Sequence, residues 1–153
     1  MPESLSYNDL ISSVVDKLLS NFSSEIPTIY KDTPIQGMVK PCFFIQQLTT
    51  TYTKEMLNNG VIIYFLDIRA HPPESEDNKI TWCNKVGFKL IETLDSITIK
   101  NQLIRASSTR YEIQDNVLHY FVQYSLRVSK ELPNKPIMNT LETRQTLDYN
   151  TRR

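Results

Sequence analysis

Apolar residues in the first part of the chain recur at the spacing of an amphipathic helix. Between Ser6 and Phe22, one helical face carries Leu10, Ile11, Val14, Val15, Leu18 and Phe22. Ser6 or Asn8 precedes this stripe and can cap the helix. The pair Ile29-Tyr30 then stands between two prolines, which favours a short edge strand. The pattern therefore predicts a helix followed by a brief strand.

The next segment has the pattern of a β-hairpin. The stretch CFFIQQLTTTY, which begins at Cys42, is rich in aromatic and β-branched residues, and the triplet Asn58-Asn59-Gly60 interrupts the chain before VIIYFLDIRA. In this second arm apolar residues occupy every other position, namely Ile62, Tyr64, Leu66 and Ile68. We expect this apolar face of the strand to point at helices.

A second helix is predicted after the break His71-Pro72-Pro73. Residues 74–78 supply acidic and capping side chains that suit the positive end of a helix. The helical stripe that follows consists of Ile80, Cys83, Gly87, Leu90, Ile91 and Leu94. Gly87 has no side chain, so the helix can approach a neighbouring element closely at this point.

Three further apolar runs between residues 97 and 128 predict a β-meander. The clearest break between two of them is Gln114-Asp115-Asn116. The last run is the strongest strand signal in the chain, because one face carries Leu118, Tyr120, Val122, Tyr124, Leu126 and Val128. We expect this run to form a central strand of the sheet.

Together these elements predict one α+β domain over residues 1–130. Its antiparallel or mixed sheet has four to six strands, and two main helices pack on one face. After Lys130, prolines at 133 and 136 and sparse apolar residues predict an extended C-terminal tail over residues 131–153. A chain of 153 residues is within the usual size of a single domain.

Charge and composition exclude several classes of protein. Seventeen basic and seventeen acidic residues give a net charge of zero, which removes the long-range field of a typical nucleic-acid binder. No stretch approaches the roughly 20 apolar residues of a membrane span, and the first residues lack the order of a signal peptide. We therefore expect neither DNA as the main ligand nor a membrane partner.

Candidate catalytic and metal-binding residues are few. Cys42, His71, Cys83 and His119 are scattered over separate predicted elements, without the local spacing of a zinc site. A nucleophilic pair such as Cys42 with His119 on adjacent strands is the one enzymatic alternative. The chain has three glycines and no phosphate-binding loop. We expect reduced thiols, no cofactor, no metal and no catalytic residues.

The sequence also offers candidate contact residues. Arg105 and Arg110 flank a Ser-Ser-Thr turn and form a small basic patch, and apolar residues of the tail can dock on a neighbouring subunit. The candidate residues for subunit or partner contacts are Arg105, Arg110, Ile137, Leu141, Arg144 and Leu147. A solvated strand turn and a solvated tail are the alternative interpretations.

Three stretches carry a family resemblance: GMVKPCFFI over residues 37–45, Arg110-Tyr111-Glu112, and DNVLHYF over residues 115–121. Together with the order of elements, they resemble the phage tail terminator family of Gram-positive phages and defective, phage-like particles. The resemblance extends roughly from Leu5 to Ser129. Its motifs are apolar strand patterns, so it implies architecture more directly than individual contact residues.

This resemblance implies a structural virion protein with no catalytic activity and no cofactor. Such a protein forms a hexameric ring on the last ring of the tail tube, ends tube polymerisation and presents a surface for joining the head. The implied partners are copies of the chain, the tail tube protein, a head-completion or connector protein and, in a contractile tail, the sheath. DNA passes through the lumen only as cargo.

The resemblance also implies a location in the particle and leaves two alternative functions open. The protein would be part of the virion, at the head-proximal end of the tail, and would be assembled in the cytoplasm of the bacterial host. A head-tail connector or stopper of the same particle is the first alternative. A small Cys/His enzyme is the second.

Overall fold

The computed structural model describes residues 6–31 and 36–129, which form two helices and six strands. The elements in chain order are α1 (Tyr7–Phe22), β1 (Thr28–Lys31), β2 (Cys42–Lys54), β3 (Asn59–His71), α2 (Lys79–Thr93), β4 (Ser96–Ile99), β5 (Gln102–Gln114) and β6 (Val117–Ser129). The strands form one sheet in the order β1-β2-β3-β6-β5-β4. The α+β prediction is confirmed.

Helix α1 begins where the sequence predicts, because Ser6 and Asp9 form a capping box. The amide of Asp9 donates to the Ser6 hydroxyl at 3.2 Å, and the amide of Ser6 donates to the Asp9 carboxylate at 2.9 Å. The buried residues of the helix are Leu10, Ile11, Ser13, Val14, Leu18 and Phe22. The predicted apolar face is therefore the buried one, apart from half-buried Val15.

The sheet is mixed, since β1 pairs parallel to β2 and every other pair is antiparallel. Strand β6 lies between β3 and β5, which confirms the predicted central position. Tyr120 and Tyr124 of this strand are fully buried on the side of the helices. Alternate residues of β3 lie on the same side, so the core fills the space between the sheet and both helices.

The two hairpins after α2 turn through residue pairs with positive φ. Asp115 and Asn116 connect β5 to β6, as the sequence predicts, and Lys100 and Asn101 connect β4 to β5. Asparagine and aspartate tolerate this left-handed backbone better than most residues. These two-residue connections hold β4, β5 and β6 in register.

The turn between β2 and β3 spans residues 55–58 and shares only Asn58 with the predicted triplet. The amide of Glu55 donates to the carbonyl of Asn59 at 2.8 Å, and Asn59 and Gly60 already belong to β3. A Cβ atom on Gly60 would lie 2.5 Å from the ring of Tyr52. The glycine therefore makes room for a ring on the neighbouring strand instead of forming the turn.

Helix α2 packs on the sheet with part of the predicted stripe. Cys83, Gly87, Leu90 and Leu94 are buried, as is Val86. Ile80 and Ile91, which the stripe includes, are 51% and 38% exposed. Both lie at the edge of the helical face centred on the buried residues, because 3.6 residues per turn place them to one side of Cys83, Val86 and Leu90. Their predicted burial is wrong.

Both helices lie on one face of the sheet, as predicted. Neither of the two described helices has the length and apolar character needed to cross a membrane. The opposite face, which we call the helix-free face, carries Phe44, Gln46, Asp67, Arg69, Arg110, His119 and Phe121. The domain boundary at residue 130 stays a prediction, since the described residues end at Ser129.

Candidate assembly surface

The two predicted contact residues that the structure describes lie on β5, on either side of a register shift between Ala106 and Ser108. Arg105 approaches Asp95 at 3.7 Å, and Arg110 contacts Glu112 at 2.8 Å. The guanidinium of Arg110 also stacks over the Phe121 ring at 4.1 Å. Ile137, Leu141, Arg144 and Leu147 lie outside the described residues.

The arginines of the helix-free face are paired with carboxylates. The pairs are Arg69 with Asp67 at 3.1 Å, Arg110 with Glu112 at 2.8 Å, and Arg127 with Glu55 at 2.6 Å. The pairs of Arg110 and Arg127 are exposed and contribute little to stability, whereas Asp67 is buried. All three pairs cancel charge locally. The predicted basic patch is therefore neutralised where Arg110 lies.

Asp67 is the centre of a polar cluster on the helix-free face and is only 3% exposed. Its Oδ2 atom accepts from Nε of Arg69 at 3.1 Å and lies 3.1 Å from Nδ1 of His119. Arg69 also donates to the side-chain oxygen of Gln46 at 2.6 Å. These contacts connect β2, β3 and β6 and compensate the burial of Oδ2, whereas Oδ1 of Asp67 is buried without a hydrogen-bond partner among the described residues.

The proposed pair of Cys42 and His119 does not form on adjacent strands. Cys42 on β2 lies opposite His71 on β3, and β3 separates β2 from β6, which carries His119. Burial raises the pKa of the Cys42 thiol, although Lys40 opposes this effect. A fully buried, protonated thiol is a poor nucleophile, since only the thiolate attacks.

Cys83 is also a buried thiol with a raised pKa, and the described residues form no metal-binding cluster. Cys83 is buried on α2, its Sγ lies 3.6 Å from the carbonyl oxygen of Asn116, and burial raises its pKa. Within residues 6–31 and 36–129, no three His, Cys, Asp or Glu side chains are placed to hold a metal ion.

The clearest contact features are two long strand edges. Strand β1 pairs only with Cys42–Ile45 of β2. Residues 46–54 pair with β3 on one side, and their outer edge has no strand beside it in the described part of the chain. Strand β4 pairs with residues 102–105 of β5, so residues 107–114 are likewise open. Backbone groups along an open edge are free to pair with another strand.

Exposed apolar side chains lie near both edges. Met56 and Leu57, at the tip of the β2–β3 hairpin, are 81% and 80% exposed. Phe88 on α2 is 66% exposed, and its ring contacts Tyr111 of β5 with a centroid separation of 6.3 Å. Large exposed apolar side chains near each other are typical of protein contacts.

The sequence predicted the β2–β3 hairpin but not the exposure of its β2 arm, although a signal for this exposure exists. Apolar residues fill both faces of β2 up to Ile45. The rest of the strand has the sequence QQLTTTYTK, which places polar residues on both faces. A strand that is polar on both faces has no core to cover. Residues 47–54 are indeed all exposed.

Comparison with known proteins gives results of different strength. No curated protein matches the chain in sequence. One solved structure aligns with 86% of this chain and 100% of its own length, at 8% identity and a TM-score of 0.38, a likeness too weak to inform fold or function. A family model described as "Phage tail terminator protein" matches residues 9–136, which is most of the chain. The protein therefore belongs to the phage tail terminator family.

Proposed function

We propose that this protein forms a hexameric ring on the end of the phage tail tube, stops tube polymerisation and provides the surface that joins the head. The observation that carries this proposal is the family match over residues 9–136, which supports a structural role in the phage tail. The small α+β domain with two open strand edges fits a subunit that repeats around an axis.

The charge balance of the helix-free face supports DNA as cargo only. Each arginine pair on this face includes a carboxylate, as described above for Arg69, Arg110 and Arg127. A duplex slides past a surface without net positive charge more easily than past a basic one, because it releases few counterions there. The face thus suits the lining of a lumen.

The proposed partners follow from this position in the particle. The ring contacts the tail tube protein on one side and a head-completion or connector protein on the other, with the sheath around it if the tail is contractile. The protein is then located in the virion, at the head-proximal end of the tail, after assembly in the cytoplasm of the bacterial host. No chemical step is required of it, and the family is a structural one.

The test is to image particles made without this protein by negative-stain electron microscopy. Tails of uncontrolled length together with unattached heads are expected, and supplying the intact chain in trans is the control that restores defined tails. Tails of normal length with unattached heads would instead assign the protein to the connector or stopper role. Particles of normal appearance would contradict both assignments.

A further inference from the structure

We propose that neighbouring subunits of the ring join by strand addition: residues 46–54 of β2 in one copy pair with residues 107–114 of β5 in the next. This inference rests on the proposed ring and names the surface that builds it. It commits to one occupant of both open edges, namely a second copy of this chain. The argument depends on strand direction, on the position of the edges and on the side chains beside them.

Strand direction permits the pairing. β2 is antiparallel to β3, β3 to β6 and β6 to β5, so β2 and β5 run in opposite directions within one subunit. A copy placed beside another without being turned over therefore presents β5 antiparallel to the β2 of its neighbour. Antiparallel addition is the more stable of the two strand pairings.

The open parts of β2 and β5 lie at the two opposite edges of the sheet, an arrangement from which a ring can be built. A subunit can offer β2 to one neighbour while its β5 accepts the β2 of the other, the head-to-tail arrangement that generates rings. β1 covers the first residues of β2, and β4 covers the first residues of β5. Because β2 and β5 run in opposite directions, these covered parts lie at opposite ends of the sheet. A stagger along the strands therefore brings the open segments together without a clash between β1 and β4.

Side chains beside the two edges are compatible with this contact. Leu48 and Tyr52 are each 47% exposed on the open part of β2, and the apolar tip at Met56 lies close by. Exposed Phe88 lies against Tyr111 on the open part of β5. Burial of these apolar groups across the contact adds to the free energy of backbone pairing.

Charge does not oppose the contact strongly, and part of the β2 edge is unprotected. Lys54 is the only charged residue in residues 46–54, and antiparallel pairing places it near the start of the β5 segment, beside Arg105, whose charge Asp95 opposes at 3.7 Å. Natural proteins usually protect a long open edge with proline, several charges or a bulge near its centre. β2 has a register shift between Gln47 and Thr49, and the open part of β5 carries Arg110 and Glu112, so only residues 49–53 of β2 lack all three kinds of protection. The proposed contact covers this unprotected stretch.

The test is site-directed cross-linking of the full chain through Thr51 and Ser108. Thr51 lies opposite Ile63, and Ser108 lies opposite Gln123, so both residues are on the helix-free face and both are exposed. Cys42 and Cys83 are fully buried, so they react slowly in the folded chain. A bis-maleimide with a span of about 8 Å reaches directly opposite and diagonal positions of paired strands.

The expected result is a covalent dimer in an equimolar mixture of Thr51→Cys and Ser108→Cys, and neither variant alone should form it. The doubly substituted chain should give a ladder that ends in a closed ring. The matched control is a mixture of Thr51→Cys with Ser20→Cys, because Ser20 is exposed on α1, which packs on the opposite face of the sheet from Thr51. This control should stay uncross-linked.

Two kinds of failure are distinguishable. Two results would overturn the β2–β5 contact and leave the proposed function standing. One is a chain that sediments as a ring but gives no cross-linked dimer in the mixture of Thr51→Cys and Ser108→Cys, and the other is a cross-linked dimer from Thr51→Cys alone. A full chain that sediments as a monomer up to about 1 mM would overturn the β2–β5 contact as sufficient to build the ring, since even a weak contact would be populated there. The proposed function itself fails only if particles made without the protein look normal.

Discussion

At the scale of single residues, two buried tyrosines on β6 have different surroundings. Tyr124 donates its hydroxyl to the carbonyl of Leu94 at 2.6 Å. The Tyr120 hydroxyl lies near Thr109 but has no partner in acceptable hydrogen-bond geometry among the described residues. Burial raises the pKa of Tyr120 to about 12 and raises that of Tyr124 further, so both stay neutral at physiological pH.

Replacing each tyrosine by phenylalanine should therefore have unequal effects. Tyr124→Phe should lower the free energy of unfolding by about 1–2 kcal/mol, because the Leu94 carbonyl loses its buried donor. Tyr120→Phe is the matched control and should change it by less than about 0.5 kcal/mol, since no hydrogen bond is lost. Urea unfolding of the two variants measures the difference. Equal losses would show that the hydroxyl of Tyr120 is also bonded.

At the scale of elements, the contact between α2 and β5 depends on the absence of a side chain. A Cβ atom on Gly87 would lie 2.8 Å from the Tyr111 ring, whose hydroxyl donates to Asn84 of the same helix at 2.8 Å. Glycine within a helix costs up to about 1 kcal/mol relative to alanine. The close approach of the ring offsets this cost.

Gly87→Ala should therefore destabilise the protein by about 1 kcal/mol in spite of its better helix propensity, because overpacking against the Tyr111 ring outweighs the gain. In the Tyr111→Leu background the same change should be neutral or stabilising. Thermal unfolding of the four members of this double-mutant cycle gives the coupling. A stabilising effect of Gly87→Ala in the parent chain would mean that the ring moves away at little cost.

Elements were predicted well where one face of a segment is buried. Helix α1, the alternating face of β3 and the central strand β6 follow from periodicity, because burial of one face imposes the period on the sequence. Periodicity failed at Ile80 and Ile91 of α2, which are apolar but exposed. The sequence shows that these residues are apolar without showing whether another surface of the same chain covers them.

At the scale of the whole molecule, the β2–β3 hairpin lies beside the end of β6. Ser129, the last described residue, lies opposite Asn59 at the start of β3. The end of β6 is therefore next to the hairpin that we propose as a subunit contact. The contact residues predicted for the tail lie outside the described residues.

Deleting residues 134–153 should leave the subunit folded and weaken the ring. The deletion removes Ile137, Leu141, Arg144 and Leu147 and leaves the buried core intact. The melting temperature of the monomer should hardly change, while sedimentation velocity should show fewer oligomers at the same concentration. The full-length variant with Ile137→Ser, Leu141→Ser and Leu147→Ser is the control, because it removes the apolar side chains without shortening the chain. Unchanged oligomers would make the tail a solvated extension.

The amino-acid sequence by itself determined the α+β class, the order of the elements, the central strand and the resemblance that the family match confirms, since each depends on local periodicity or on motifs along the chain. Only the tertiary structure decided that Cys42 lies opposite His71, that the arginines of the helix-free face are neutralised, and which strand edges stay open. These features depend on residues far apart in sequence, which meet only when the sheet has formed.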